Sequence, residues 1–153
     1  MANTYTQIHI HFVFAVKYRA GVIQYRWKDD LYKYITGIVQ NNHHKMLIIN
    51  GVEDHVHLLV GVRPAQSISD LMQDVKGGSS KWINDHQFVA GRFEWQEGYG
   101  AFSYSKSQLP TVIGYIQNQE AHHQKKTFHE EYLELLEEFE VGYNEKYLFK
   151  ELE

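Results

Sequence analysis

Apolar and polar residues alternate from Tyr5 to Val16. Ile8, Ile10, Phe12, Phe14 and Val16 fall on one face, and Gln7, His9, His11 and Ala15 on the other. A period of two predicts a half-buried strand. After a turn at Ala20-Gly21, Leu31, Ile35, Ile38 and Val39 recur at helical spacing, which predicts a helix over about 27–42. Met46 to Asn50 and His55 to Val62 read as two strands of a hairpin, interrupted at Gly51-Val52-Glu53-Asp54 and ended by Pro64. Ser67 stands as a helix cap with Asp70 at the capping-box distance, and Ile68, Leu71, Met72 and Val75 form the buried stripe that follows. Gly77-Gly78 then predicts a loose middle, or two short helices, before Trp82-Ile83. The aromatic and glycine-rich stretch from Phe88 to Tyr104 predicts short strands turning at Gly98. Ser107 is expected to cap a third helix, with Pro110 in its first turn and Val112, Ile113 and Ile116 as its stripe, running to about Lys125. A last, acidic helix is expected over about 129–140.

This order of elements predicts an α+β fold, an antiparallel sheet with helices on one face, plus a C-terminal helix that carries Tyr115 and an acidic tail helix. Its first six elements match the split β-α-β arrangement of ferredoxin-like (RRM-like) folds. That fold hosts many functions and decides none.

Composition narrows the classes. The chain has 153 residues, 43% hydrophobic and 22% charged, which fits one globular domain and excludes wholesale disorder. It has no cysteine, so disulfides and thiolate metal sites are excluded. No apolar run approaches the roughly 20 residues of a membrane span, and Met1-Ala2-Asn3-Thr4-Tyr5 does not resemble a signal peptide, so the expectation is a cytoplasmic protein without a membrane partner.

The formal net charge of −4 argues at first against a nucleic-acid binder. The charge is divided, however. Residues 130–153 hold nine acidic and two basic residues, whereas residues 1–129 hold 13 basic and 10 acidic. The expected organisation is therefore a body over 1–129, mildly basic at +3, and an acidic extension over 130–153 that packs on the body or projects from it, facing solvent or a partner subunit.

Three local features carry candidate chemistry. In His55-Val56-His57 the two imidazoles lie on one strand face, roughly 6.5 Å apart along the chain, where both reach one divalent metal. The pair His9-Ile10-His11 has the same spacing, so spacing alone does not choose between them; surface histidines on a wet sheet face would look the same. On the third helix, Tyr115 and Gln119 are four apart and His122 continues their stripe one turn on. Lys76-Gly77-Gly78-Ser79-Ser80-Lys81 offers cations, hydroxyls and glycine-freed amides suited to phosphate, although it is not a Walker loop and a plain helix break would also fit.

Taken together, these blocks resemble the single-tyrosine (Y1, HUH) transposases of the IS200/IS605 type. Asp54-His55-Val56-His57-Leu58-Leu59-Val60 is similar to that family's His-hydrophobic-His motif. His11-Phe12-Val13-Phe14 with Lys17-Tyr18-Arg19, Lys76-Gly77 with Ser79-Ser80, Trp95 to Ser103, and Tyr115-Ile116 with Asn118-Gln119 and His122-His123 follow in the family's order, covering residues 5 to about 132. The resemblance implies that Tyr115 is the nucleophile and that His55, His57 and Gln119 hold a divalent metal, Mg²⁺ or Mn²⁺. His11 and His122 become candidates for contacts to those ligands or to substrate. Arg63, Lys76, Ser79 and Lys81 become candidates for DNA phosphate contacts. It also implies a homodimer that cleaves and rejoins single-stranded DNA at hairpin-bearing element ends through a 5′-phosphotyrosine, with no nucleotide cofactor. The competing readings are a single-strand nickase of the same family that has left its mobile element, a ferredoxin-like nucleic-acid-binding module without catalysis, and a metal-dependent or two-histidine phosphodiesterase on a similar scaffold.

Overall fold

The computed structural model describes residues 4–143. Four strands, β1 (His9–Ala15), β2 (Lys45–Val52), β3 (His55–Gly61) and β4 (Gly100–Tyr104), form one antiparallel sheet in the order β2-β3-β1-β4. With α1 (Tyr25–Asn41) between β1 and β2, and α2 (Ile68–Asp85) between β3 and β4, this is the ferredoxin-like order. Three helices follow: α3 (Leu109–Gln117), α4 (Gln119–His123) and α5 (Phe128–Glu138).

Alternation in the strands assigns the two sheet faces. Phe12 and Phe14 of β1 and Val56, Leu58 and Val60 of β3 point to one side. There they meet Trp27, Leu31, Ile35 and Val39 of α1 and Leu71, Met72, Val75 and Ile83 of α2 in the main core. The other face is covered by the C-terminal helices. Val13, Ala15 and Phe102 pack under Phe128, Tyr132, Leu135 and Leu136 of α5, while Leu59 packs under Val112 and Ile116 of α3. Register sets His11 against Leu59, Val13 against His57 and Ala15 against His55 across β1 and β3. His11, His55 and His57 therefore share the second face and are fully buried beneath those helices.

Several elements differ from the sequence expectation for identifiable reasons. Helix α2 runs unbroken through Gly77-Gly78. A Cβ on Gly78 would lie 2.9 Å from Ile38 Cδ1, so this glycine serves the close approach of α1 rather than a break. Within residues 88–104 only β4 is a strand, although Trp95 adds an isolated bridge to Val16. The expected third helix is divided: a 3₁₀ turn over Lys106–Gln108, capped by Ser105 rather than Ser107, leads into α3, and Asn118 separates α3 from α4. The acidic helix does not simply face solvent. Phe128, Glu131, Tyr132, Leu135 and Leu136 turn inward, and Glu130, Glu134, Glu137 and Glu138 stay outside. The last ten residues of the acidic extension, 144–153, lie outside the described residues.

Candidate active site

The site forms where the histidine face of β3 meets the ends of α3, α4 and α5. Alternation in β3 sends Val56 and Leu58 into the main core and leaves His55 and His57 on the opposite face. Helix α3 places Tyr115 above them. Gln119 begins α4 after the break at Asn118 and is fully buried. Helix α5, capped by the reciprocal Thr127–Glu130 box, delivers Glu131, which is 1% exposed.

Glu131 is the hub. Its Oε1 lies 3.2 Å from His55 Nε2, 3.1 Å from His57 Nε2 and 2.9 Å from His123 Nε2. Its Oε2 accepts from the Tyr115 hydroxyl and, at 3.1 Å, from Gln119 Nε2, with His122 Nε2 at 3.7 Å. Gln119 Oε1 lies 3.2 Å from His55 Nε2. Behind the pair, His55 Nδ1 is fixed by Asp54 Oδ1 at 2.6 Å, and His57 Nδ1 lies 2.7 Å from His11 Nε2. Orientation of one ring nitrogen by a partner on the other is the usual support for a metal-binding imidazole.

The electrostatics follow from burial and from this hub. Burial opposes the charged form of His55, but its hydrogen bonds to Asp54 and Glu131 outweigh burial and lift its pKa to about 9. For His57 burial prevails over Glu131 and lowers the pKa to about 4. Burial lowers His11 well below the ordinary imidazole value, and the neighbouring His57 adds to the effect. Although burial disfavours its charge, Glu131 is held well below the usual carboxylate range by hydrogen bonds from His123, His55 and His57. Burial and then the Glu131 charge push the Tyr115 phenol far above its usual value. The resting site therefore pairs a neutral tyrosine with an ionised carboxylate.

His55, His57, His123 and Glu131 each offer a ligand atom, and these atoms all lie within 4.8 Å of one another. The structure thus brings together Tyr115, His55, His57 and Gln119, with His11 behind His57 and His122 beside the Tyr115 ring (centroids 5.0 Å apart). Sequence reasoning missed Glu131 and His123 as members of this cluster. A signal for Glu131 was present: Phe128, Tyr132 and Leu135 make an apolar stripe at helical spacing, and Glu131 is the carboxylate inside it.

The four candidate phosphate contacts lie apart from this cluster, and two have structural duties. Ser79 is fully buried; its hydroxyl donates to the Val75 carbonyl at 2.6 Å and accepts from Trp95 Nε1 at 2.9 Å. It cannot reach a phosphate from there. The Lys76 ammonium donates to the carbonyls of Gln96 and Gly98 at 2.7 and 2.6 Å, and burial lowers its pKa to about 8. Lys81 is exposed and pairs with Asp85, and Arg63 is exposed near His44. A cleft beside Tyr115 is lined by Tyr104, Thr111, Val112, His122 and Glu134, with Lys126 paired to Glu134.

The chain is similar to known proteins in sequence and in fold. The model of the family described as "Transposase IS200 like" matches residues 4–119. The ISDra2 transposase TnpA of Deinococcus radiodurans is 28% identical over 122 residues, which span 74% of this chain and 84% of that protein. Among solved structures, a candidate transposase from Deinococcus radiodurans R1 gives a TM-score of 0.63 at 25% identity, over 78% of this chain and 95% of that one. A REP-associated tyrosine transposase bound to a REP hairpin gives 0.61 at 11% identity, over 80% of this chain and 73% of the other, a likeness that concerns the fold. The family match spans most of the chain and includes β3, with its two buried histidines, together with Tyr115 and Gln119, and on that basis the protein belongs to the IS200-like transposase family.

Proposed function

We propose that the protein cleaves and rejoins single-stranded DNA at the hairpin-bearing ends of an insertion sequence, with Tyr115 as the nucleophile. The observation that carries this reading is the convergence of Tyr115, Gln119, His55 and His57 on one buried point, joined through Glu131. In the step, the Tyr115 oxygen bonds to the scissile phosphorus and the bond from phosphorus to the 3′ oxygen breaks. The protein then carries a 5′-phosphotyrosine, and the strand leaves with a 3′-hydroxyl. The phosphodiester energy is kept in the tyrosine ester, so rejoining needs no nucleotide cofactor. The phenol gives up one proton and the departing 3′ oxygen takes one up, so the step balances; in the resting site the Tyr115 hydroxyl donates to Glu131 Oε2, which orients the phenol oxygen.

The residues fit a divalent metal. Ring nitrogens supported from behind and a buried amide oxygen are donors able to hold a divalent ion, with His55, His57 and Gln119 as the ligands and Mg²⁺ or Mn²⁺ as the ion the family resemblance implies. Such an ion, when bound, supplies Lewis-acid charge for the scissile phosphate and orients it. His11 and Asp54 keep the two imidazoles in position, Gln119 spans Glu131 and His55, and the helices above exclude bulk water from the ligands.

A hairpin substrate is supported by the REP-associated transposase of the same fold, which is bound to a REP hairpin. Arg63 and Lys81 remain exposed cations for phosphate contacts. A second copy is the proposed partner, its sheet joining this one at an edge; β2 and β4 are the edge strands. Such DNA lies in the cytoplasm of a bacterial or archaeal cell, and among the described residues no helix is long and apolar enough to cross a membrane. The test is incubation with labelled hairpin-bearing single strands and Mn²⁺, followed by a denaturing gel. The wild type should give a shifted covalent band, and chelation or Tyr115→Phe should remove it. A band that survives Tyr115→Phe contradicts the proposal.

A further inference from the structure

The family match ends at residue 119, yet the most connected residue of the site, Glu131, stands twelve positions beyond it. Three imidazole nitrogens face the same carboxylate oxygen, Oε1, at 2.9, 3.1 and 3.2 Å. Oε2 meets Tyr115 and Gln119 as well. His57 Nε2 and His123 Nε2 hydrogen-bond Oε1, and His55 Nε2 stands 3.2 Å from both Oε1 and Gln119 Oε1. His57 gives its one N–H to Glu131 and accepts at Nδ1 from His11 Nε2, which leaves His11 Nδ1 without a partner among the described residues. The ligand atoms of His55, His57, His123 and Glu131 all lie within 4.8 Å of one another, close enough to share one cation. Two donors each about 2.1 Å from a divalent ion and at right angles lie about 3.0 Å apart, which is the spacing seen here between Oε1 and the three nitrogens.

We propose that Glu131, with His123 beside it, is a ligand of the same metal, so that the chain beyond the family match completes the centre and α5 is clamped by the ion. The inference rests on the metal reading given under Proposed function and adds to it the carboxylate and the helix that brings it. Oε1 faces the histidines and would take the metal, while Oε2 keeps its contacts to Tyr115 and Gln119. Two imidazoles and an amide leave the full charge of the ion uncompensated, and a carboxylate offsets half of it with the oxygen chemistry that Mg²⁺ and Mn²⁺ favour. Phe128, Tyr132, Leu135 and Leu136 hold α5 on the sheet around Glu131, so docking of the helix and binding of the ion stabilise each other.

The test uses the full chain stripped with chelator and then titrated with Mn²⁺, with free ion followed by electron paramagnetic resonance and backbone protection of residues 128–138 followed by hydrogen exchange. Wild type should bind one ion, with slower exchange in α5 when loaded. Glu131→Gln should weaken binding about tenfold or more, lose the exchange response, and shift the visible bands of the Co²⁺-substituted protein. Affinity that is unchanged or higher in Glu131→Gln, with binding still lost in His57→Ala, overturns this inference and leaves the two-histidine reading intact. No binding to wild type overturns both. If Glu131→Gln does not fold by circular dichroism, the wild-type exchange data decide: α5 protection that ignores Mn²⁺ contradicts the clamp.

Discussion

Replacing Ser79 by alanine separates a structural serine from one that grips DNA. The hydroxyl is fully buried and is the acceptor for the Trp95 indole N–H at 2.9 Å. Its own proton goes to the Val75 carbonyl, which as an interior helix carbonyl has a ladder partner besides. Ser79→Ala therefore leaves one buried donor, the indole N–H, without an acceptor, a loss of about 1–3 kcal/mol. Alanine returns about 0.5 kcal/mol of helix propensity in α2, for a net destabilisation of roughly 0.5–2.5 kcal/mol. At about 2–4 °C per kcal/mol for a chain of this size, the midpoint should fall by roughly 1–10 °C. Thermal unfolding followed by tryptophan fluorescence measures this, and Trp95, edge-on between Phe14 and Phe93, is one of the three tryptophans that report it. Affinity for hairpin single strands, measured well below the midpoint, should stay at the wild-type value. Unchanged stability with weakened DNA binding would refute the assignment and return Ser79 to the phosphate-contacting set.

Three further outcomes are expected. His57→Ala should abolish cleavage while hairpin affinity, measured by gel shift, stays near wild type; loss of binding instead would mean that the histidines hold DNA rather than metal. In chelator, stability should decline on both sides of neutrality. His55, raised to about 9, contributes stability that is full below about pH 6.5 and lost as pH rises through 9, whereas His57, lowered to about 4, contributes stability present above 6.5 and lost as pH falls toward 4; a flat profile of urea midpoints from pH 4 to 9 would contradict this. Gly100→Ala places a Cβ 2.7 Å from Tyr132 Cε1, so the α5 ring must shift, at a cost of about 1–3 kcal/mol; calorimetry should show that loss together with weaker Mn²⁺ binding, because Glu131 precedes Tyr132 on the same helix.

What could be read from the chain divides along physical lines. Period-two alternation in His9–Ala15 and His55–Gly61 sorts residues onto two faces and so sets His11, His55 and His57 together, and the ferredoxin-like arrangement supplies the strand order. The half-buried pattern did not show that the C-terminal helices bury the histidine face as well. Local signals failed where tertiary contact overrode them. Gly77-Gly78 looks like a break, but the neighbouring Ile38 explains Gly78 as a packing residue. The acidic balance of the C-terminal segment left open whether its helix packs on the body or projects into solvent, because net charge averages over faces and hides the buried stripe at Phe128, Glu131, Tyr132 and Leu135. Ser79 and Lys76 have the residue types of a phosphate grip, and only their partners, Trp95 and the carbonyls of Gln96 and Gly98, reveal that they brace the segment before β4. Tyr115 and Gln119 were legible as a helical pair even though Asn118 divides their helices, because the turn is disturbed without being lost.

The central claim is that Tyr115 becomes covalently joined to DNA. Its most direct measurement is mass spectrometry of the protein after reaction with a cleavable hairpin-bearing single strand and Mn²⁺, with nuclease and protease digestion before analysis. The account predicts a nucleotide adduct, linked through a 5′-phosphate, on the peptide that contains Tyr115 and on that residue within it. An adduct on another of the eleven tyrosines, or cleaved DNA with no adduct at all, would contradict it.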